Sequence, residues 1–270
     1  MNRPDATPSP AAHAAAPAAK RASILAVTSG KGGVGKTFVT ANLAAALTRR
    51  GERVLVLDAD LGLANLDVVL NLYPKITLHD VFTDKASLED AIVPAPGGFS
   101  VLLAGSGMVE YSRLTPELRN RLLGVIQTVA PRFDRILLDT GAGISAVVLF
   151  AISLADEVAL VVTSEPTSLA DAYATVKVLS SQQQRGAIRL IVNQVSQLGE
   201  ARTVRAQLQR VVDRFVNPGA ERGVTLDLVG AVPADKTVRE AVQKRQLQLE
   251  IYPGSPAALA VNAIATHLAP

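Results

Sequence analysis

The stretch that decides the fold reads Gly30-Lys31-Gly32-Gly33-Val34-Gly35-Lys36-Thr37. It fits the phosphate-loop pattern, in which two glycines bracket four residues and a lysine and a threonine follow. The apolar run over residues 23–28 predicts a buried strand before the loop, and residues 38–47 have helical apolar spacing without Pro or Gly after it. Strand, loop and helix in this order are the context that the motif requires.

The residue types of the loop indicate its chemistry. Glycines let the backbone curl so that successive N–H groups, including those of Gly33, Val34 and Gly35, point into one concavity at a helix N-terminus. A polyphosphate fits such a concavity, with Lys36 as a point charge on the β- and γ-phosphates and the Thr37 hydroxyl as a ligand of Mg²⁺. Lys31 is an additional cation that the minimal pattern does not require.

Composition narrows the class of protein. The 270 residues are 49% hydrophobic, which suits one large α/β domain. The absence of cysteine excludes disulfides, thiolate zinc sites and protein-ligated iron–sulfur clusters. Trp is absent and the aromatic content is only 4%, so stacking platforms for single-stranded nucleic acid are not expected.

The charge is distributed unevenly along the chain. The formal net charge is +3, but Arg3, Lys20 and Arg21 against Asp5 place +2 in residues 1–22 and leave the body nearly neutral. We therefore expect no DNA-binding face. Residues 1–22 contain nine Ala and four Pro with almost no larger apolar side chain, which predicts a disordered tail before a single domain over residues 23–270.

From residue 23 onward, short β-rich runs alternate with helical stretches, which predicts a single-domain α/β fold with a mostly parallel twisted sheet and helices on both faces. The predicted strands cover residues 24–27, 54–57, 100–103, 135–138, 157–162, 190–192 and 226–229. The predicted helices cover residues 37–49, 88–92, 116–130, 145–154, 169–181, 201–215, 237–244 and 256–268. Ligands of such sheets bind at the carboxyl ends of the strands.

Carboxylates follow two of these strands. Asp58 and Asp60 end the second strand, and Asp60 is a candidate to orient the attacking water or to hold a metal-bound water. Asp139 ends the fourth strand and is the candidate carboxylate for the Mg²⁺ shell. Asp-rich turns that cap the next helix are the alternative for each of these residues.

Further candidates follow the remaining strands. Gly141 and Gly143 permit a close backbone approach and indicate a γ-phosphate-sensing loop. Glu165 and Asp171 stand at a helix entry, where they could meet a partner subunit or cap the helix. Asn193 could bind the edge of an adenine or form a turn, and the loop from Pro233 to Asp235 could form one side of the pocket for the base.

The loop with Lys31, together with the segments at Asp58–Asp60 and at 139–143, resembles the MinD/ParA family of dimerising ATPases, which have a deviant Walker A loop. Within that family, residues 60–67, 139–145 and 165–173 are most similar to the FlhG branch, also called FleN, which regulates flagellar number and placement. The resemblance covers about residues 23–265. It implies a phosphate-loop NTPase fold of the SIMIBI class.

The resemblance also implies roles for individual residues. ATP, ADP and Mg²⁺ are the implied ligands, held by the loop Gly30, Lys31, Gly32, Gly33, Val34, Gly35, Lys36, Thr37 and the adjoining Phe38. Lys31 is expected to cross to the phosphates of a second subunit, Asp60 to activate water, and Asp139 to hold the metal shell. Asn193, Pro233 and Asp235 are expected at the adenine. Asp58, Gly141, Gly143, Glu165 and Asp171 are expected at the switch regions or the dimer interface.

The implied partners are a second copy of the chain, the flagellar GTPase FlhF, basal-body components and a transcriptional activator of flagellar genes. The expected location is the cytoplasm, with weak peripheral contact at the membrane or cell pole left open. Residues 256–270 contain no Lys or Arg, so a packed helix is expected there rather than a membrane anchor. A partitioning or division-site ATPase of the same family and a nucleotide-dependent metabolic enzyme on the same fold remain alternatives.

Overall fold

A computed structural model describes residues 21–62, 65–105, 111, 113–197, 199–219 and 223–269. Residues 1–20 of the predicted tail lie outside the described residues. Ala22 is buried and its N–H donates to the carbonyl of Ala130, and Arg21 pairs with Asp156. Two residues of the predicted tail, Arg21 and Ala22, therefore contact the domain.

The described strands follow the predicted ones closely, and most extend beyond them. Residue Ile92 begins a strand that was not expected, because its three residues are too few to show a periodicity. The strands are β1 Ser23–Ser29, β2 Val54–Ala59, β3 Ile92–Pro94, β4 Ser100–Leu102, β5 Arg135–Ala142, β6 Glu157–Val162, β7 Ala187–Val195 and β8 Thr225–Pro233.

The longer helices are also placed as predicted, whereas three short ones were missed. The helix predicted over residues 88–92 ends at Ala91 instead, since Ile92 already pairs in the sheet. The helices are α1 Lys36–Arg49, α2 Leu66–Leu70, α3 Leu78–Phe82, α4 Leu88–Ala91, α5 Pro116–Val129, α6 Ala146–Ser153, α7 Pro166–Gln183, α8 Glu200–Phe215, α9 Lys236–Gln243, α10 Gln248–Ile251 and α11 Pro256–Leu268. The missed helices are α2, α3 and α10, each of four or five residues.

The eight strands form one sheet in the order β3-β4-β2-β5-β1-β6-β7-β8. All neighbours are parallel except β3, which pairs antiparallel with β4 at one edge. The order reverses at β1, whose neighbours are β5 and β6. The phosphate loop leaves the sheet at this central strand, which is the position where open parallel sheets bind ligands. The predicted fold class is confirmed.

Alternation along the strands divides the core between the two faces of the sheet. Ile24 and Ala26 point into an apolar cluster with α5, α6, α7 and α8, whereas Leu25 and Val27 point into a second cluster with α1 and α11. Both faces are therefore covered by helices, as parallel strands require.

The C-terminal helix α11 packs on the domain, as its composition predicted. Its apolar side chains, among them Val261 and Ile264, are buried against β8 and α1. Gly230 of β8 permits this packing, because a Cβ there would lie 2.3 Å from a side-chain carbon of Ile264. Among the described residues, no helix has the length and apolar character needed to cross a membrane.

A buried ion pair joins four segments at the amino ends of the strands. The Arg135 side chain at the start of β5 is only 7% exposed and donates to Glu52 at 3.1 Å. The same guanidinium donates to the Leu268 carbonyl at the end of α11 and to the Ser23 hydroxyl. One side chain therefore fixes the end of α11 to the sheet.

We expect Arg135→Ala to lower the free energy of unfolding by about 3–5 kcal/mol, because it leaves the Glu52 side chain, which is only 16% exposed, without its cation. Urea denaturation measures this. Arg53→Ala is the matched control, since Arg53 pairs with Asp134 at the surface and its loss should change stability little. Equal stability of the two variants would contradict the assigned role of Arg135.

Candidate phosphate-loop site

The loop between β1 and α1 has the backbone geometry that its glycines predict. Gly33 and Gly35 have φ of 81° and 90°, in the left-handed region that other residues avoid. Gly35 directly precedes α1, so the loop ends on the free N–H groups of a 14-residue helix. No atom lies within 4 Å of a Cβ placed on Gly32 or Gly33, so the loop has open space beside it.

The loop is packed from two sides. A Cβ on Gly30 would lie 2.4 Å from the carbonyl carbon and oxygen of Asp171, so β1 ends in direct contact with the α7 backbone. A Cβ on Gly35 would lie 2.2 Å from Nδ2 of Asn193, at the end of β7. These contacts set the loop position before any ligand arrives.

Asn193 holds the loop directly. Its Nδ2 donates to the Val34 carbonyl at 2.8 Å, and its Oδ1 accepts the N–H of Gln194 at 3.0 Å. The residue is 5% exposed, and Gln194 adopts a φ of 59° beside a β-bulge in β7. Asn193 is therefore a brace of the phosphate loop in this structure, with one amide hydrogen left for a further acceptor.

Lys36 and Asp139 form a buried ion pair beneath the loop. Their side chains are 10% and 3% exposed, and Nζ lies 3.4 Å from Oδ1. Thr40, one turn along α1, donates to the same oxygen at 3.0 Å. The structure thus brings the predicted phosphate-binding lysine next to the predicted metal-shell carboxylate. A phosphate oxygen could take the place of the carboxylate as the partner of Lys36.

Asp58 lies next to this pair on β2, in register with Asp139 on β5. It is 1% exposed, its Oδ1 accepts the N–H of Asp60 at 3.1 Å, and its Oδ2 has no hydrogen-bond partner. Burial raises the pKa of the Asp58 carboxyl well above its usual range, and repulsion from Asp139 raises it further. Burial and the neighbouring carboxylate thus both disfavour a charge on Asp58.

The two switch segments meet beside the loop. A Cβ on Gly141 would lie 3.2 Å from Oδ1 of Asp60, so the glycine lets this carboxylate approach the end of β5. The N–H of Gly143 donates to the Ser29 carbonyl at 2.8 Å, and Gly143 has a φ of 87°. The chain segment after β5 is thereby attached to the first residue before the phosphate loop.

Lys31 points away from its own loop. Its Nζ donates to Glu165 Oε2 at 2.7 Å and to the Thr167 hydroxyl at 2.8 Å, both at the start of α7. The Lys31 and Glu165 side chains are 36% and 62% exposed. The additional lysine thus lies at the open rim of the site, and Glu165 is its partner within the chain.

The remaining predicted residues have different surroundings. Phe38 and Val34 are buried in the apolar core, so only their backbone atoms can face a ligand. Thr37 is half-buried at the start of α1. Pro233 ends β8 beside Val195 of β7, and Asp235 caps α9 by accepting the N–H and hydroxyl of Thr237.

Sequence reasoning missed two polar side chains of the site. Thr40 lies four residues after Lys36 and therefore on the same face of α1, which is a signal that could have been used. Thr167 gave no signal, because its contact with Lys31 joins residues 136 positions apart.

The residues present suit a nucleoside triphosphate with Mg²⁺. Open glycine N–H groups and Lys36 match the phosphates, and the oxygens of Thr37, Asp60 and Asp139 are hard ligands of the kind that Mg²⁺ prefers. Among the described residues, no group of three or more His, Cys, Asp or Glu side chains could hold a metal by itself. The fold and the loop define a nucleotide-binding α/β protein.

The family follows from comparison with known proteins. The model of the CobQ/CobB/MinD/ParA nucleotide binding domain matches residues 25–249, so the chain belongs to this family. It is an ATPase of the MinD/ParA type, and the resemblance carried by the loop, the switch segments and Lys31 is confirmed.

Two relatives in sequence and one solved structure show what this chain is similar to. The chain is 43% identical to the antiactivator FleN of Pseudomonas aeruginosa over 242 residues, which are 90% of this chain and 84% of FleN. It is 30% identical to the flagellum site-determining protein YlxH of Helicobacter pylori over 89% of this chain and 80% of YlxH. The structure of the septum site-determining protein MinD of Pyrococcus horikoshii with Mg-ADP superposes with a TM-score of 0.72 at 28% identity, covering 90% and 94% of the two chains.

Gly30→Ala tests the packing of the loop. The added Cβ meets the α7 backbone, which cannot rotate away, so we expect a loss of about 1–3 kcal/mol in stability. The displaced loop should also bind ADP at least about tenfold more weakly by calorimetry.

Gly124→Ala is the control for this change, since Gly124 lies in α5 with no atom within 4 Å of its Cβ position. It should keep the wild-type affinity for ADP. Wild-type affinity of Gly30→Ala would show that the contact with α7 does not set the loop position.

Proposed function

We propose that this protein is an ATP- and Mg²⁺-dependent dimerisation switch that regulates the number and placement of flagella and the expression of flagellar genes. The observation that carries the proposal is the position of Lys31, whose Nζ lies at the open rim of the phosphate loop and bonds to Glu165 and Thr167 at the start of α7. The similarity to FleN and YlxH supports the flagellar part.

Within one subunit, Lys36 and the loop N–H groups bind the phosphates. Thr37, Asp60 and Asp139 hold Mg²⁺, which neutralises charge on the β- and γ-phosphates when it is bound. Asp60 orients the attacking water, and the missing side chain of Gly141 leaves room for its carboxylate beside the end of β5. Support for Mg²⁺ comes from the similar MinD, whose structure contains Mg-ADP.

Lys31 supplies the link between subunits. Its present contacts with Glu165 and Thr167 are solvent-exposed, and such ion pairs contribute about 1 kcal/mol or less. A transferring γ-phosphate that accumulates charge in a water-poor interface attracts a cation much more strongly. Lys31 therefore exchanges Glu165 for the phosphate of a second subunit when ATP is bound, and returns when the γ-phosphate is lost.

The switch segments transmit the nucleotide state to the surface. Gly143 is bonded to the residue before the loop, and Ile144 beside it is 44% exposed. A dimer face that includes this segment changes with the γ-phosphate, so a partner can distinguish the ATP and ADP forms. The proposed partners are the flagellar GTPase FlhF, basal-body components and a flagellar transcriptional activator, met in the cytoplasm or at its membrane surface.

Lys31→Ala should abolish ATP-dependent dimerisation and reduce ATP turnover at least about hundredfold, because it removes the cation that contacts the phosphates of the second subunit in the ATP-bound dimer and stabilises the charge that develops in the transition state. Nucleotide binding should persist. Light scattering with ATP and phosphate release measure the two effects. Lys85→Ala is the control, since Lys85 is exposed in the turn after α3. A monomeric Lys31→Ala variant with full turnover would refute the role in trans.

Deletion of the gene in a flagellated host should change the number of flagella per cell, counted by electron microscopy. Expression of the wild-type chain should restore the original number, whereas Lys31→Ala should not. Unchanged flagellation after deletion would remove the flagellar assignment and leave the ATPase class intact.

A further inference from the structure

Gln248 is a fully buried polar residue in the short helix α10, and sequence reasoning gave it no role. Its side chain is 0% exposed. Nε2 donates to the hydroxyls of Thr237 and Ser255, each at 2.7 Å, while Oε1 is buried without a hydrogen-bond partner. A buried acceptor without a partner costs about 1–3 kcal/mol, so apolar packing would serve stability better at this position.

Gln248 belongs to a polar network below the loop that follows β8. The Thr237 hydroxyl donates to Asp235 Oδ1 at 2.7 Å, and Asp235 Oδ2 accepts the N–H of Ala257 at 3.3 Å. Because the Thr237 proton is committed to Asp235, Thr237 can only accept from Gln248, which fixes the orientation of the amide. Asp235, Gln248 and Ser255 thereby connect the N-termini of α9 and α11.

The Asp235 carboxylate is ionised within this network. Burial opposes its ionisation, but the hydrogen bonds from the Thr237 hydroxyl and from the N–H groups of Thr237 and Ala257 outweigh burial and lower the pKa of Asp235. Both carboxylate oxygens accept hydrogen bonds within the network, so Asp235 fixes the loop that follows β8.

The next residue along the chain attaches α10 to the helix of the phosphate loop. The Leu249 N–H donates to Oδ1 of buried Asn42 at 3.1 Å, and its carbonyl accepts from Arg49 at 3.0 Å. Both Asn42 and Arg49 belong to α1. Helix α10 is thus a strut between α1 and the loop over residues 233–235.

Helix α10 lies on the side of the site where the base of a bound nucleotide is expected. The carboxylates Asp58 and Asp139 occupy the side toward β2 and β5, which suits the metal and the terminal phosphate. On the other side, Asn193 contacts the phosphate loop, and the N–H of Ala234 donates to the Val195 carbonyl at 2.8 Å. The uncharged end of a nucleotide therefore extends toward Asn193 and Pro233.

We propose that Gln248 is a positioning residue for the nucleoside: through Thr237 and Asp235 it sets the distance of the loop at Pro233 from the phosphate loop. The proposal rests on the nucleotide site described above. Gln248 is fully buried and acts through the loop at Pro233, so its loss should weaken binding of the nucleoside and leave binding of phosphate alone unchanged.

The test compares ADP with inorganic pyrophosphate, each titrated with Mg²⁺ into the full chain by calorimetry. Gln248→Leu fills a similar volume without the amide. Thr237→Val removes the hydroxyl that joins Gln248 to Asp235 at nearly constant shape and keeps the backbone N–H bond to Asp235. Both variants should bind ADP about tenfold more weakly and pyrophosphate within about twofold of the wild type. Gln246→Leu is the control, because Gln246 is exposed two residues away and should bind both ligands as the wild type does.

If the variants bind ADP and pyrophosphate equally more weakly, the network supports the whole fold. If both variants keep the wild-type affinity for ADP, the network does not position the nucleoside. Either result overturns the proposal. Thr237→Val decides the question if Gln248→Leu does not fold. A wild-type chain that binds no ADP would instead refute the nucleotide site itself.

Discussion

The buried pair of Lys36 and Asp139 is the interaction on which the rest of the site depends. A lysine at the start of α1 and a carboxylate at the end of β5 are both nearly inaccessible to water, at 10% and 3% side-chain exposure. Neither charge could be buried alone without a large desolvation cost. Their mutual attraction, with the Thr40 hydroxyl as a third member, therefore holds α1 and β5 in one arrangement and keeps Lys36 under the phosphate loop.

That constraint explains the chemistry of the neighbouring residues. Asp58 stands in register with Asp139, and two buried carboxylates beside a single lysine cannot both ionise at low cost. Burial, and after it repulsion from Asp139, raises the pKa of Asp58, whereas Asp139 pairs with Lys36. Asp60, two residues further, is half-buried and reaches Gly141, so the carboxylates of one strand end differ in burial and in role.

The contrast between the two lysines of the loop has the same physical basis. Lys36 is desolvated and fixed, whereas Lys31 is exposed and held by contacts that water weakens. A fixed cation suits a permanent subsite. A cation on a weak exposed contact suits an exchange of partners between two states, because the exchange costs little.

Much of this molecule could be predicted from residue order, since local rules determine it. The glycine pattern determines the loop, alternation and apolar runs determine most strands, and the position after a strand places Asp60 and Asp139 at the binding edge. The short elements α2, α3, α10 and β3 could not be predicted, because three to five residues carry too little periodicity and their stability comes from tertiary contacts.

The sequence alone determined the class of fold, the phosphate loop and the presence of a second lysine within it, because these depend on residues adjacent along the chain. Only the tertiary structure decided which partners those residues meet. Lys31 meets Glu165 and Thr167, Asn193 meets Val34, and Gln248 meets Thr237 and Ser255. Several of these contacts join residues more than 130 positions apart. A local sequence pattern cannot predict such contacts, because only the packing of the sheet and its helices brings the residues together.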